Sequence, residues 1–466
     1  MTPRRGRRTG PSTFDRRLLL PMIGGAVLNP VNSSLIAVAL VPIGLALGAP
    51  ATETAWLVSG LYLATAVGQP VTGRLVDLYG PRPLYLAGAV LVGVGGALGA
   101  LAPDIWWLVA ARVVIGLGTC AGYPAAMALI RGEADRTGTD SPEGVLTVLS
   151  IATSTIAVVG PSLGGLLLGV SGWRAVFVVN IPLALLCLVL GALRLPRTRV
   201  AHRGVRAALR RVDPPGIALF AVTTVALLLA LLHPDAVAVA PALVAVAAGA
   251  GLVVRELRTP EPFLDLRVLG GNLPLLLTFV RALLTATVSY CVLYGFTQWL
   301  EQGRGLTPAT AGLVLLPIFV TGIGVTALTG RRRAIRGKLL VGGVAQVLLA
   351  ALLFVLGPPS PVWVIVVVAL LAGLPQGLNN LAVQNAVYRQ ADPERVASSA
   401  GLMRTFFYLG AIAASAAGGI AFGGSTAGDG LPVLAAVMLV ASTLFVLLTL
   451  ADRSLARLAG PEGAPS

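Results

Sequence analysis

Fourteen windows of predominantly apolar residues recur between residues 18 and 451, each close to the roughly 20 residues that span a bilayer core as an α-helix. Nothing else in the sequence limits the fold so severely. In hydrocarbon every backbone N–H and C=O must be satisfied internally, which leaves helices and closed barrels. Barrel strands alternate apolar and polar residues, and runs such as 84–101 and 362–374 do not alternate. The predicted fold class is an all-α polytopic membrane protein. Charge content supports it: 11% of residues are charged, against roughly 25% in soluble domains.

The basic residues give the windows an orientation. The formal net charge is +15, with 34 Lys+Arg. Of these, 29 lie in the tails or in alternate loops, two (Arg174, Arg304) on the other side, and three (Arg112, Arg281, Arg404) inside windows. Lys and Arg accumulate in cytoplasmic loops, so both termini are expected in the cytoplasm, at the cell membrane. The surplus charge is then a matter of topology and anionic lipid, and no nucleic-acid partner is expected. Cys120, Cys187 and Cys291 sit in apolar windows at unrelated spacings, which implies no disulfide framework and no metal site. No cofactor is expected.

The windows divide the chain into a tail (1–17), a six-helix bundle (18–193), a basic linker (194–213), two extra helices (214–254), a second linker (255–272), a second six-helix bundle (273–451) and a tail (452–466). The extra pair carries few polar side chains and reads as an insertion outside the working core. The two bundles echo each other. Gly116-Leu117-Gly118 has a counterpart in Gly373-Leu374-Pro375, and 331–338 is a worn copy of 73–82 in which Ala334 replaces the acid Asp77.

Four strings carry a family resemblance. Gly73-Arg74-Leu75-Val76-Asp77-Leu78-Tyr79-Gly80-Pro81-Arg82, expected as a charged turn between the second and third helices, resembles the G-x-L-x-D-x-x-G-x-R/K loop of the major facilitator superfamily. Arg112 to Gly118 resembles the family's R-x-x-x-G-x-G motif of helix four. Gly160-Pro161-Ser162-Leu163-Gly164-Gly165 resembles the helix-five core of proton-coupled exporters, and Trp173 to Pro182 resembles the entry to helix six. With fourteen windows, the chain is similar to the fourteen-helix drug:proton antiporter branch, the multidrug efflux type, over nearly all of residues 18–452.

The resemblance implies alternating access between two bundles in a monomer. It implies a conformational latch at Gly73, Arg74, Asp77, Gly80 and Arg82, proton coupling through Arg112, and a gating helix at Gly160, Pro161, Gly164 and Gly165. Pro161 removes a backbone hydrogen bond, and small residues at i,i+4 let helices approach and slide. A static packing seam is the plainer reading of the same glycines.

The sequence departs from that branch at Asn32, which stands where a helix-one acid is usual. All 19 Asp+Glu map to loops, tails or helix ends. Glu53 and Glu301 come closest to the windows, and Arg112 is expected to couple with Glu53, Asp77 or an outer acid such as Glu301. The interior is instead positive. Arg281 and Arg404 each lie eight residues into their windows, or roughly 12 Å at 1.5 Å per residue.

Thr285 shares the stripe of Arg281, while Asn29, Asn32 and Ser33 stripe the first window and Gln376, Asn380 and Gln384 the twelfth. The expected substrate cavity is lined by these amides, hydroxyls and arginines, with Tyr62, Tyr123, Tyr290 and Tyr294 as walls. Interhelical polar glue is the plainer reading of such stripes. An acid-free cavity suits anionic, zwitterionic or neutral amphiphiles better than lipophilic cations.

The expected function is secondary active export of small amphipathic compounds, coupled to protons. Asn32 keeps open a facilitator, or an anion or lipid exchanger, of the same fold without a proton cycle. Enzymatic chemistry has no support: His202 and His233 lie in loops, and no catalytic triad, metal-ligand spacing or phosphate-binding loop is present.

Overall fold

A computed structural model describes residues 14–54, 56–138, 143–197, 212–232, 239–260, 262–264, 266–306, 308–330, 332, 334–422 and 430–457. The outer parts of both tails, most of the linker expected at 194–213, and His202 and His233 lie outside the described residues.

Every regular element among the described residues is helical. The first bundle contains α1 (Leu19–Leu47), α2 (Trp56–Tyr79), α3 (Pro81–Ala100), α4 (Ile105–Thr119), α5 (Gly122–Thr137), α6 (Glu143–Ser171) and α7 (Asn180–Arg194). The extra pair is α8 (Pro214–Leu232) and α9 (Val239–Arg258). The second bundle contains α10 (Leu273–Tyr290), α11 (Pro308–Thr329), α12 (Ile335–Leu353), α13 (Val362–Gln390), α14 (Val396–Phe422) and α15 (Gly430–Ala451).

Twelve helical stretches among the described residues are long and apolar enough to cross a membrane, with α4 and α5 counted together. That is two fewer than the fourteen windows. The two outside the dozen are α2 and α8. Helix α2 carries Gln69, Arg74 and Asp77 within its 24 residues, which lowers its hydropathy, and the apolar part of α8 is the shorter stretch Pro214–Leu227.

Local chemistry explains most boundaries. Asp104 caps α4 by accepting the Trp107 N–H at 2.9 Å, and Asn272 caps α10 through the Leu275 N–H at 3.1 Å, each satisfying an orphan donor of a first turn. The expected ten-residue turn at 73–82 is instead helix on both sides of one residue. Helix α2 runs to Tyr79, Gly80 turns at φ 84°, and Pro81 opens α3. Glycine tolerates that positive φ, and proline suits a first helical position because its missing N–H would be unpaired there anyway. Helix α10 continues as π-helical turns over Cys291–Phe296 and Trp299–Gly303, with Trp299 fully buried and stacked on Phe296.

Apolar side chains gain little by leaving lipid for a helix interface, so close backbone approach carries the packing. Gly88 and Gly118 allow it between α3 and α4: a Cβ on Gly118 would lie 2.7 Å from the Gly88 carbonyl. Within the first bundle α1 packs on α6 and α3 on α4 and α7; within the second, α13 packs on α11 and α12, and α10 on α14. The bundles meet where α2 and α5 face α14 and where α6 faces α11 and α13.

The extra pair is not wholly apart. Helix α8 rests on α2 and α14 at that seam, and Asp213 before α8 is ion-paired with Arg255 of α9.

Candidate functional site

Helices α2 and α14 run antiparallel in a register that advances one turn at a time. Gly73 lies on Ala397 and Ser398, and Gln69 on Gly401, each glycine so close that a Cβ would strike the facing backbone. One turn on, the Thr405 hydroxyl donates to the Ala66 carbonyl at 2.7 Å. The next turn sets the Tyr62 ring against Tyr408 with centroids 5.7 Å apart. At the far end of this ladder Asp77 accepts the N–H groups of Ala397 and Ser398 at 3.1 and 2.8 Å, together with the Ser398 hydroxyl. Two backbone N–H groups of a helix N-terminus and a serine hydroxyl thus meet a carboxylate from the other bundle, a favourable placement for negative charge.

This end also carries Arg74, Arg82, Arg131, Arg136, Arg389 and Arg395, and is the basic end of the molecule. Arg82 donates to the Ala192 carbonyl at 2.8 Å inside the first bundle. Of the five expected latch residues, Gly73 and Asp77 touch the other bundle directly, Gly80 makes the turn, and Arg82 braces it.

The second seam is closed at the same end. Arg389 of α13 is ion-paired with Glu143 of α6, the Gln384 amide donates to the Ser150 hydroxyl at 3.3 Å, and Gly330 abuts Thr147. Gln384 therefore belongs to the seal and not to an open lining, a correction to its expected place.

Beyond the seal, Gln376 and Asn380 continue the Gln384 face of α13 away from the basic end. Both are half-buried and make no hydrogen bond among the described residues. Asn29 of α1 donates to the Thr119 hydroxyl at 3.2 Å and accepts from the Tyr408 hydroxyl at 3.4 Å, with Ser33 one turn further along. Arg404 of α14 is half-buried at this level. Its guanidinium lies 4.3 Å from the centroid of the Tyr123 ring of α5 and makes no ion pair among the described residues. Tyr62, Tyr290 and Tyr408 complete an aromatic wall, and Tyr290 packs on Tyr294 at 5.4 Å.

Three expected cavity residues face elsewhere. Arg281 is fully buried inside the second bundle, where it donates to Asp452 at 2.8 Å and to the Leu448 carbonyl at 2.9 Å. An acid just past the last apolar window neutralises it. Thr285 accepts from Gln346 at 2.9 Å and from Asn379 at 3.3 Å, a polar knot inside the same bundle. Asn32 is also buried, and its amide donates to Asn180 at 2.7 Å and to the Leu28 carbonyl at 2.9 Å.

Arg112 is 1% exposed and held by carbonyls: Nε donates to Leu57 at 2.8 Å and Nη1 to Asn32 at 3.1 Å, while Nη2 has no partner. Neither Glu53 nor Glu301 forms an ion pair with it, so the expected coupling set is not brought together in this conformation. Gly160 and Gly164 of the expected gating helix press on Ser34 and on Val38 and Leu35 of α1, whereas Gly165 has open space where a Cβ would go. Helix α6 runs unbroken through Pro161.

Sequence reasoning missed Glu143, Arg389, Ser398 and Tyr408, whose roles depend on contacts between bundles. Asn180 stood inside a quoted string, and its amide chemistry beside Asn32 was the available signal.

The model for the Major Facilitator Superfamily matches residues 22–415. An uncharacterized MFS-type transporter, YwoD of Bacillus subtilis, is 32% identical over 437 residues, covering 92% of this chain and 95% of that protein. The tetracenomycin C resistance and export protein of Streptomyces glaucescens is 29% identical over 70% of this chain, which spans 60% of that relative's length. The crystal structure of the human organic anion transporter MFSD10 (TETRAN) superposes with a TM-score of 0.64 at 17% identity, covering 93% of this chain and all of that one, and shows the same fold.

Proposed function

The chain belongs to the major facilitator superfamily, a multi-pass membrane transporter and not an enzyme, and on that premise we propose that it exports small amphipathic compounds by alternating access. Anionic, zwitterionic and neutral compounds are the favoured substrates. The observation that carries this reading is Arg404, a half-buried cation beyond the seal with no carboxylate beside it. A relative named for resistance and export supports the outward direction.

In this proposal α2 and α8 complete fourteen spans in the manner of the drug:proton antiporter branch, both termini are cytoplasmic, and the basic end faces the cytoplasm. The protein is a monomer of two six-helix bundles, residues 18–193 and 273–451, with 214–254 as the extra pair. The structure is then an outward-open state. Gln376, Asn380, Asn29, Ser33 and Arg404 line the substrate path, the Asp77–Ser398 contact is the latch, and α6 slides on α1 through Gly160 and Gly164. Proton-motive force drives the cycle.

A second reading is favoured by one observation: Asn32 stands where the branch usually has an acid, Arg112 bonds its main-chain carbonyl, and a side-chain amide does not titrate between pH 5 and 8. Under it the chain is a facilitator or exchanger of anions or lipids. Efflux from pump-deficient cells of a cationic, a neutral and an anionic dye, with and without protonophore, separates the two. Protonophore-sensitive efflux of the anionic and neutral dyes is expected. Export of the cationic dye alone, or an Arg404→Gln variant with unchanged anion efflux, overturns the substrate class.

A further inference from the structure

The contact between Arg404 and Tyr123 crosses from one bundle to the other. Arg404 belongs to α14 and Tyr123 to α5, and the guanidinium carbon lies 4.3 Å from the ring centroid, within the roughly 6 Å over which a ring face attracts a cation. Tyr123 is 5% exposed, and its hydroxyl is buried without a hydrogen-bond partner among the described residues. Buried tyrosines usually supply their hydroxyl with one. This ring is therefore held by its face and not by its hydroxyl. The contact sits directly beyond the sealed part of the α2–α14 ladder, with Gly401 and Thr405 on either side of Arg404 packed against Gln69 and Ala66.

We propose that Tyr123 is a built-in substitute for the anionic group of the substrate, covering Arg404 while the basic end is closed and leaving it only the more distant Phe407 ring of its own helix, 6.0 Å away, when the basic end opens. The inference rests on the reading of Arg404 as the anion site. Helix α5 packs with α2 in the first bundle, so releasing α14 from α2 also withdraws the Tyr123 ring. A substrate anion then binds an uncovered guanidinium from the basic side. Once the seal reforms, the ring face competes for the same cation and the anion is discharged toward the opposite side. By linkage, an anion on Arg404 disfavours the closed state by the same factor. The ring thus weakens the anion site in the closed state, with no titrating group needed at Arg404, while the proton-motive force sets the net direction of transport.

The test is binding of carboxyfluorescein, an anionic aromatic probe, to the purified full-length chain by fluorescence anisotropy, with a neutral coumarin as control. Tyr123→Leu is expected to tighten carboxyfluorescein binding about tenfold, the size of a desolvated cation–π contact. Tyr123→Phe, which keeps the ring face, is expected to bind as wild type does. Asp77→Asn, which frees the basic end, is expected to tighten binding in the wild-type background and to add nothing to Tyr123→Leu. Arg404→Gln is expected to lose the probe in every background, and the coumarin control to be indifferent throughout.

If Arg404→Gln binds the probe normally, or no variant binds it, the anion-site reading falls and this proposal with it. If Arg404→Gln loses binding while Tyr123→Leu is no tighter than wild type, the substitute role alone is overturned. Should Tyr123→Leu fail to fold by thermal unfolding, the Asp77→Asn comparison decides: unchanged affinity in the wild-type background refutes the proposal.

Discussion

Asp77 at the end of α2 accepts both the N–H and the hydroxyl of Ser398 at the start of α14, so the carboxylate of one bundle terminates a helix of the other. The Ala397 N–H adds a third bond at 3.1 Å. Hydrogen bonds to a charged group contribute about 1.5–3 kcal/mol each. Asp77→Asn keeps the shape and removes the charge, and should shift the balance toward the basic-end-open state by roughly tenfold or more. Maleimide labelling of a cysteine placed at Ser150, 7% exposed within the seal where it meets Gln384, should speed up in that background. Native Cys120, Cys187 and Cys291 are all buried and supply the low baseline. Unchanged labelling would mean that Asp77 does not hold the seam.

The Glu143–Arg389 pair closes the other seam, with side chains only 8% and 12% exposed. Glu143→Gln takes the carboxylate from Arg389, whose side chain is 12% exposed, and breaking such a pair is destabilising by about 3–5 kcal/mol where burial is complete. Glu143→Gln and Arg389→Gln should each raise labelling at the Ser150 cysteine, and the double variant should do so by less than the sum. Strict additivity would show that the two side chains act independently.

Arg281 and Arg404 illustrate what the sequence could and could not show. Both lie eight residues into windows that start on the same side, and periodicity places each on a polar stripe. What separates them is Asp452, 171 residues from Arg281 and just past the last apolar window. A stripe likewise cannot tell a face turned to the partner bundle from one turned into its own: Asn380 lies one turn before Gln384, which reaches Ser150 of the partner, while the adjacent Asn379 bonds Thr285 inside. The helices and the close approach at Gly160 and Gly164 were legible because they depend on length, residue size and local spacing. The seal was not, because Glu143 and Arg389 stand 246 residues apart.

If Arg281 is structural, Arg281→Gln should lower thermal stability and leave the charge preference of the substrate unchanged. Burial pushes the Asp452 carboxyl up, but hydrogen bonds from Ser454 and Arg281 outweigh it and hold the group below its ordinary value. A depressed carboxylate contributes stability above its unfolded value and loses it as pH falls through the lowered one. Melting temperature should therefore show no step from this pair between pH 5 and 8. A wild-type step in that window that vanishes in Asp452→Asn would contradict the assignment.

Gly160 and Gly165, five positions apart on α6, should respond oppositely to alanine. A Cβ on Gly160 collides with the Cβ and hydroxyl of Ser34, whereas one on Gly165 meets nothing within 4 Å. Overpacking costs about 1–3 kcal/mol, while alanine for glycine in a helix interior gains roughly 0.5–1 kcal/mol. Gly160→Ala should reduce transport and melting temperature together; Gly165→Ala should raise the melting temperature slightly and transport normally. Equal effects at both positions would remove the case for α6 sliding on α1.

Asn32 offers the sharpest test of proton coupling. Its side-chain amide donates to Asn180, and its main-chain carbonyl accepts from Arg112, whose Nη2 has no partner among the described residues. Asn32→Asp would set an ionisable group within one residue of that guanidinium, and Asn180 can turn its own amide to donate to the new carboxylate. Burial disfavours ionisation and Arg112 favours it, so the introduced acid should titrate where wild type has nothing to titrate. The expected outcome is an efflux pH profile of Asn32→Asp that differs from that of wild type between pH 5 and 8. Identical profiles for the two proteins would show that position 32 lies off the coupling path. A limb already present in wild type and lost in Arg112→Gln would mean that coupling runs through Arg112 without an acid at position 32.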